Sequence, residues 1–164
     1  GLGTGLNVLT TLDYTNKTRQ KVEIHSIEAY PITKDEAAKL NFPELLNVTV
    51  EDFERIHSSA WDDEVLLSKE LILTKQNVKL QAMEWKGQKF DVIYFDAFAP
   101  EKQPDMWQAE LFDKLFSWLN KDGILVTYCV KGEVRRTLQK VGFEVEKLSG
   151  PIGGKREMCR AWKR

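Results

Sequence analysis

The sequence predicts an α/β fold built around a doubly wound, mostly parallel sheet. Segments with strand patterns alternate with segments of helical spacing along the whole chain, which is the arrangement that parallel sheets require. A glycine loop at residues 1–5 leads directly into a helical segment. Residues 91–96 form a nearly continuous apolar run, typical of a strand buried on both faces of a parallel sheet. The 164 residues suit a single domain, 1–164.

The first half of the chain contains three expected helices and three expected strands. Thr33 is expected to cap a helix, because Glu36 three residues later completes a capping box. Asn77 is expected to mark a turn between the second and third strands. The other helices are expected over residues 6–14 and 50–58, and the strands over 22–27, 71–73 and 78–80.

The second half continues the alternation. After the strand at 91–96 and a proline-containing loop, the spacing predicts a helix over 107–119, a strand over 124–130 and a helix over 132–141. Two further strands begin at 142 and at 158, and only a short loop joins them. That connection predicts an antiparallel hairpin at one edge of the sheet.

Composition excludes several classes of protein. Hydrophobic residues make up 42% and charged residues 30%, as in an ordinary folded domain, and no apolar run approaches the roughly 18 residues of a membrane span. Two histidines and two cysteines outside any CxxC pair predict no metal site. Cys129 and Cys159 are expected to be buried free thiols, which fits a cytoplasmic protein.

Charge is unevenly distributed. Residues 131–164 contain ten basic and four acidic side chains, whereas the preceding part is acidic. A basic carboxyl-terminal third suits contact with phosphates, and a solvated surface explains it equally well.

Three features indicate a nucleoside-bearing cofactor. Gly1, Gly3 and Gly5 permit close backbone approach, although their GxGxG spacing differs from the GxGxxG dinucleotide fingerprint and also suits a plain turn. Glu28 ends the next strand, 23 residues beyond Gly5, where an acid typically binds both ribose hydroxyls. Asp96 lies at the carboxyl end of a strand, the edge of a parallel sheet where ligands bind. It is either a catalytic residue or a structural cap of the following turn. These three features do not distinguish S-adenosylmethionine from NAD as the cofactor.

Six segments, in order, resemble one known family. They are similar to the methyltransferase domain of the bifunctional tRNA 5-methylaminomethyl-2-thiouridine biosynthesis proteins and their stand-alone relatives. The most specific are DAFAPEKQPDMW at 96–107 and KREM at 155–158. The others are residues 1–7, 26–33, 132–136 and 142–143.

The resemblance implies a class I S-adenosylmethionine-dependent methyltransferase with a Rossmann-like doubly wound sheet. It further implies methylation of the aminomethyl group of a modified wobble uridine in tRNA, with Asp96 beside the substrate amine. Glu28 would hold the cofactor ribose, and the glycine loop would lie along the methionine end of the cofactor. The cofactor-binding set in and beside the loop is Gly1, Gly3, Thr4, Gly5 and Asn7.

The implied partners are tRNA and a separate or fused FAD-dependent oxidase. Phe98 and Pro100 are expected to contact the substrate, and Phe98 suits stacking on a base. Trp107 suits the same role, but ordinary core packing is favoured for it. Lys155 and Arg156 are expected to bind phosphate, with solvated loop charges as the alternative.

Two departures from the family pattern stand out. An acid that reads the adenine is expected at the end of the third strand, but residues 80–82 read Leu-Gln-Ala. Either Gln81 or the backbone takes that role. The strand expected before the glycine loop is absent, so the domain 1–164 is expected to be incomplete at its N-terminus. A gap or substitute strand is expected between the strands of Glu28 and Asp96.

Three other functions fit part of this pattern. An NAD-dependent oxidoreductase should carry GxGxxG and a hydride-handling residue set, and none stands out. An aminopropyl transferase of the polyamine-synthase type shares the fold and the strand-end acid, but should offer more acids after Asp96. A catalytically inactive RNA-binding relative would be distinguished by its binding of S-adenosylmethionine.

Overall fold

The computed structural model describes residues 1–46, 48–150, 153–154 and 157–164. These residues form two compact units, Gly1–Met83 and Glu84–Arg164. No helix in the described ranges combines the length and apolarity needed to cross a membrane.

The elements of the first unit are α1 (Leu6–Thr18), β1 (Val22–Ile27), α2 (Lys34–Ala37), α3 (Phe42–Leu45), α4 (Val50–Ser58), β2 (Glu64–Leu66), β3 (Leu71–Gln76) and a 3₁₀ helix (Leu80–Ala82). The three strands form one sheet in the order β1-β3-β2. Strands β1 and β3 are parallel, in a register that runs from Val22–Leu71 to Ile27–Gln76, and β2 is antiparallel to β3. The carboxyl ends of β1 and β3 therefore lie at the same edge of the sheet.

The core of the first unit lies between the sheet and the helices α1 and α4. Leu9 and Leu12 of α1 are buried against Phe53 and Ile56 of α4, together with Leu71 and Leu73 of β3. Each such side chain contributes about 1.5–3 kcal/mol of burial free energy. This packing fixes the amino end of α1, where the glycine loop ends.

The elements of the second unit are β4 (Phe90–Tyr94), a 3₁₀ helix (Pro104–Trp107), α5 (Ala109–Trp118), β5 (Leu119–Thr127), α6 (Gly132–Val141), β6 (Glu144–Ser149) and β7 (Glu157–Trp162). The four strands form one sheet in the order β4-β5-β7-β6. Strand β4 is parallel to β5, whereas β7 is antiparallel to both β5 and β6. The expected hairpin at a sheet edge is therefore confirmed.

Several expectations about elements are confirmed. Helices α4 and α6 have the expected bounds, and the capping box of α2 is formed by Thr33 and Glu36. The cysteines at 129 and 159 are buried free thiols, and burial raises the pKa of Cys159 to about 11.

The prediction of a strand over residues 78–80 is wrong. Strand β3 ends at Gln76, and the carbonyl of Lys79 accepts hydrogen bonds from the amides of Ala82 and Met83. These local bonds coil the chain into a 3₁₀ turn, so its backbone groups are not free to pair with a strand.

The expectation that residues 91–96 are buried on both faces is also wrong. Val92 and Tyr94 are 42% and 54% exposed. Strand β4 lies at the edge of its sheet, paired only with β5 among the described residues, so its side chains receive less cover than those of a central strand.

Strands β1 and β4 belong to different sheets, and within the described ranges each pairs with a neighbour on one side only. A strand preceding Gly1, a strand between those of Glu28 and Asp96, and a single domain spanning 1–164 all stay predictions.

Candidate active site

The glycine loop, residues 1–5, has a backbone that only glycine adopts readily. Gly3 and Gly5 have φ values of 52° and 79°, in the left-handed region. Gly5 is the N-cap of α1, and its carbonyl accepts the first helical hydrogen bond from Leu9 at 2.9 Å. Buried Leu2 ties the loop to β1 through a bond from its amide to the Ile27 carbonyl.

The carboxylate of Glu28 supports this loop directly. It lies just beyond β1, and its Oε2 accepts the Gly3 amide at 2.9 Å while Oε1 accepts the Tyr30 amide at 2.9 Å. A Cβ on Gly1 would lie only 2.9 Å from Oε2, so a larger residue there would displace the carboxylate. An ionised carboxylate has about four acceptor positions, which leaves Glu28 capacity for further donors.

Asn77 joins the ends of the two parallel strands. It follows β3, and its Nδ2 donates to the Glu28 carbonyl at 2.8 Å. The Glu28 amide donates to the Gln76 carbonyl at 3.0 Å. The backbone at Glu28 is therefore held on both its donor and its acceptor side.

The other predicted cofactor residues lie in the same unit. Thr4 is exposed in the loop, and Asn7 is half-buried in the first turn of α1. Gln81 is exposed in the 3₁₀ helix that follows β3. Their contacts with a cofactor stay predictions.

His57 is a contact of the glycine loop that was not predicted from the sequence. Its Nε2 lies 3.2 Å from the Thr4 carbonyl, and its ring packs against Phe53, one turn earlier in α4, at 4.8 Å between centroids. Burial lowers the pKa of His57, a bond to the Thr4 backbone opposes this, and nearby Lys75 lowers it further. The i, i+4 spacing with a core phenylalanine was the available signal.

Lys75 is the second residue that was missed. Its side chain is fully buried, and Nζ donates to the carbonyls of Ile56 at 2.8 Å and His57 at 3.2 Å. The ammonium also lies 4.7 Å from the centroid of Trp61. Burial lowers the pKa of Lys75. The signal was its position in the strand alternation, in phase with buried Leu71 and Leu73.

The second unit carries Asp96 in a loop, residues 96–100, that follows β4; we call it the acidic loop. Asp96 is exposed. Two side chains fix the backbone beyond it: Tyr128 Oη donates to the Ala97 carbonyl and Trp107 Nε1 donates to the Phe98 carbonyl, each at 2.8 Å. Tyr128 follows β5, which is parallel to β4, so Tyr128 and Asp96 lie at the same edge of the sheet.

The surroundings of Tyr128 keep its phenol protonated, so that it stays a hydrogen-bond donor. Desolvation by burial is the main cause that raises the pKa of Tyr128, and the neighbouring groups Cys129 and Asp96 raise it further. The phenol therefore stays protonated near neutral pH and holds Ala97.

The aromatic residues of this region divide into two groups. Trp107 is 6% exposed and packs edge-on against Phe95 at 5.1 Å and Tyr128 at 6.4 Å, so the expectation of core packing is confirmed. Phe98 is 76% exposed and presents its ring to solvent. The acidic loop thus combines a rigid backbone with two exposed side chains, Asp96 and Phe98.

Two clefts adjoin the acidic loop, each of about 290 Å³. One is lined by Ala99, Pro100, residues 128–131 and Glu157. The other lies between the 3₁₀ helix and α6, and Pro100 lines both. An ion pair between Lys131 and Glu101 borders them. Lys155 and Arg156, the expected phosphate contacts, lie outside the described residues.

Comparison with known proteins assigns the chain to a family. Residues 41–164 match the family described as S-adenosyl-L-methionine-dependent methyltransferase. The chain belongs to this family. The methyltransferase uses S-adenosylmethionine as its cofactor, so the alternative of NAD-dependent oxidoreduction is wrong.

Curated relatives align over nearly all of this methyltransferase chain. The tRNA 5-methylaminomethyl-2-thiouridine biosynthesis bifunctional protein MnmC of Hydrogenovibrio crunogenus is 36% identical over 97% of this chain and 25% of its own length. The protein of the same name from Caulobacter vibrioides is 31% identical over 99% of this chain and 29% of its own. The chain therefore spans about a quarter of the length of the curated relatives it matches.

Solved structures show the same fold. MnmC2 from Aquifex aeolicus has a TM-score of 0.72 at 23% identity, over 98% of this chain and 50% of its own. A methyltransferase from Pyrococcus furiosus has a TM-score of 0.55 at 17% identity, over 95% of this chain and 69% of its own. The expected class I methyltransferase fold is confirmed.

The first unit fits a nucleoside cofactor. A Cβ on Gly3 would meet no atom within 4 Å, so the loop has an open side that a ligand is able to approach. The carboxylate of Glu28 stands beside it with acceptor capacity for hydroxyls. The amino end of α1 adds the partial positive charge of its free amides.

Proposed function

We propose that this methyltransferase transfers a methyl group to the aminomethyl nitrogen of a modified wobble uridine in tRNA. The observation that carries the proposal is that relatives named for this biosynthesis align with 97–99% of the chain at 31–36% identity. The match to the family, over residues 41–164, includes the acidic loop. The single methyltransferase domain is proposed to be 1–164, and the compartment the cytoplasm.

The first unit is proposed to bind the cofactor. Bound S-adenosylmethionine supplies a methyl group on a sulfonium centre. Glu28 accepts hydrogen bonds from the ribose hydroxyls, and Gln81 contacts the adenine. The methionine end is proposed to lie along Gly1, Gly3, Thr4, Gly5 and Asn7.

Asp96 is proposed to receive the substrate amine. Methyl transfer requires a neutral amine, and a protonated amine must lose a proton before it attacks. A carboxylate within hydrogen-bond reach accepts that proton and releases it to solvent, and in its ionised form it stabilises the positive charge that develops on nitrogen. The exposed position of Asp96, on a backbone held by Tyr128 and Trp107, supports this role.

The remaining contacts are proposed for the RNA. The exposed ring of Phe98 stacks on a base, and Pro100 forms an apolar wall of the adjoining clefts. Lys155 and Arg156 bind phosphate. A separate or fused FAD-dependent oxidase is proposed to supply the substrate amine.

Nucleoside mass spectrometry tests the proposed function. A strain lacking the gene should accumulate a wobble uridine with an unmethylated aminomethyl group. Purified protein with methyl-labelled S-adenosylmethionine should label tRNA from that strain and not tRNA from the parent. Unchanged nucleosides in the deletion strain would rule out this substrate, and binding of both ligands without transfer would indicate an inactive relative.

Removing the phenolic hydroxyl of Tyr128 tests the support of the acidic loop. Tyr128→Phe keeps the ring and loses the bond to Ala97, so kcat should fall about 2–10-fold, as expected for one lost hydrogen bond. The dissociation constant for S-adenosylmethionine should stay within about 2-fold, because one hydrogen bond in the acidic loop is lost and the glycine loop is intact. Tyr94→Phe, the same change on an exposed tyrosine, is the control. An unchanged kcat in Tyr128→Phe would show that this bond does not position Asp96.

A further inference from the structure

Two side chains hold the glycine loop from different elements. Glu28, beyond β1, accepts the amide of Gly3, and His57 of α4 contacts the carbonyl of Thr4 at 3.2 Å. The loop is therefore fixed at a donor and at an acceptor on two adjacent residues. The first contact belongs to the proposed ribose ligand, and the second has no assigned purpose.

We propose that His57 is a positioning residue that orients the Thr4 peptide, so that the glycine loop receives the methionine part of S-adenosylmethionine. The proposal rests on the placement of the cofactor at this loop and is independent of the RNA substrate. His57 acts through Thr4 and does not itself touch the cofactor.

Side chains of α4 pack tightly against the glycine loop at Gly5. A Cβ on Gly5 would lie 3.1 Å from His57 Nε2 and 3.2 Å from Ile56 Cγ2, closer than ordinary van der Waals contact. Gly5 also has a positive φ of 79°, so glycine is required for backbone reasons as well. Helix α4 therefore lies directly against the loop, and the position of its last turn sets the position of the imidazole.

Buried Lys75 fixes that last turn. Its ammonium has three donors, of which two bind the carbonyls of Ile56 and His57 and the third side faces the ring of Trp61. Carbonyls at a helix carboxyl end carry partial negative charge and favour a cation there. Because Lys75 pairs with Ser26 across the sheet, α4 is anchored to the same two strands that position Glu28.

The chemistry of the contact defines the state of His57. The Thr4 carbonyl is only an acceptor, so the Nε2 atom must carry the proton. Burial lowers the pKa of His57, and the imidazole is therefore neutral at pH 7 with its proton on Nε2. A neutral donor of fixed tautomer is suited to holding a carbonyl without attracting solvent anions.

Ligand dissection by calorimetry tests the proposal. S-adenosylhomocysteine contains the amino-acid part of the cofactor, and 5′-methylthioadenosine lacks its amino and carboxylate groups. His57→Leu should raise the dissociation constant of S-adenosylhomocysteine about 5–20-fold and that of 5′-methylthioadenosine less than about 2-fold. His57→Gln keeps an amide donor of similar reach and should restore binding to within about 3-fold of the native protein.

The controls separate positioning from folding. His25→Leu, the same change at the other histidine, should leave both dissociation constants within about 2-fold. If His57→Leu does not fold, His57→Asn, whose shorter amide falls short of Thr4, replaces it in the comparison with glutamine. Equal losses for both ligands, or no loss for either, would overturn the proposal. If Glu28→Gln also binds S-adenosylhomocysteine normally, the proposed placement of the cofactor fails as a whole.

Discussion

Replacing Asp96 with asparagine is expected to lower kcat for methyl transfer about 10²–10⁴-fold, the usual effect of removing a positioned proton acceptor. The substitution keeps the shape of the side chain and removes its charge. The backbone of the acidic loop should be unaffected, because Tyr128 and Trp107 hold it through the carbonyls of Ala97 and Phe98. Single-turnover rates at saturating tRNA measure the effect directly.

Two observations accompany the Asp96→Asn result. The dissociation constant for S-adenosylmethionine should stay close to the native value, since the glycine loop and Glu28 are intact. Raising the pH should restore part of the rate, because a larger fraction of the substrate amine then arrives neutral. Asp113→Asn, on an exposed face of α5, is the matched control. A near-native rate for Asp96→Asn would mean that another group handles the proton.

Replacing Glu28 with alanine is expected to weaken S-adenosylmethionine binding by about 2–4 kcal/mol, because hydrogen bonds to a charged acceptor are lost. The structure adds a second cause. The amides of Gly3 and Tyr30 lose their acceptor, so the glycine loop loses its support on that side. Isothermal titration calorimetry measures the dissociation constant.

Comparison of substitutions separates the two causes at Glu28. Glu28→Gln keeps one acceptor oxygen and should weaken binding by about tenfold, less than alanine does. Glu23→Ala, at an exposed position of β1, should bind normally. If Glu28→Ala binds the cofactor as the native protein does, Glu28 serves the loop alone and the ribose contact lies elsewhere.

Features with local signals were predictable from the sequence. Helix α4 was predicted with both ends from its apolar spacing, and in the structure Thr49 caps it by accepting the amide of Asp52. The capping box of Thr33 and Glu36 and the hairpin of β6 and β7 depend on neighbouring residues or on a short connection. Glu28 and Asp96 were predicted at strand ends from the local apolar pattern, and both lie just beyond the strands β1 and β4.

Features that depend on distant parts of the chain were not predictable. The apolar run at 91–96 could not reveal that β4 lies at a sheet edge, because strand order is set by pairing and not by the strand itself. Lys75 was overlooked because a lysine in a strand is ordinarily exposed, and only the end of α4 makes its burial favourable. His57 was overlooked because its partner, Thr4, lies 53 residues away.

The register of the sheets also determines when each part of the molecule is able to fold. Strand β1 pairs with β3 from Val22–Leu71 to Ile27–Gln76, so the strand before Glu28 obtains this neighbour only after a long stretch of chain has been synthesised. Closing so large a loop carries an entropic cost before any contact compensates it. The hairpin of β6 and β7 closes over a short connection and should form within about 1–10 μs. In refolding experiments, protection of the amides of β1 should therefore lag behind that of β6 and β7.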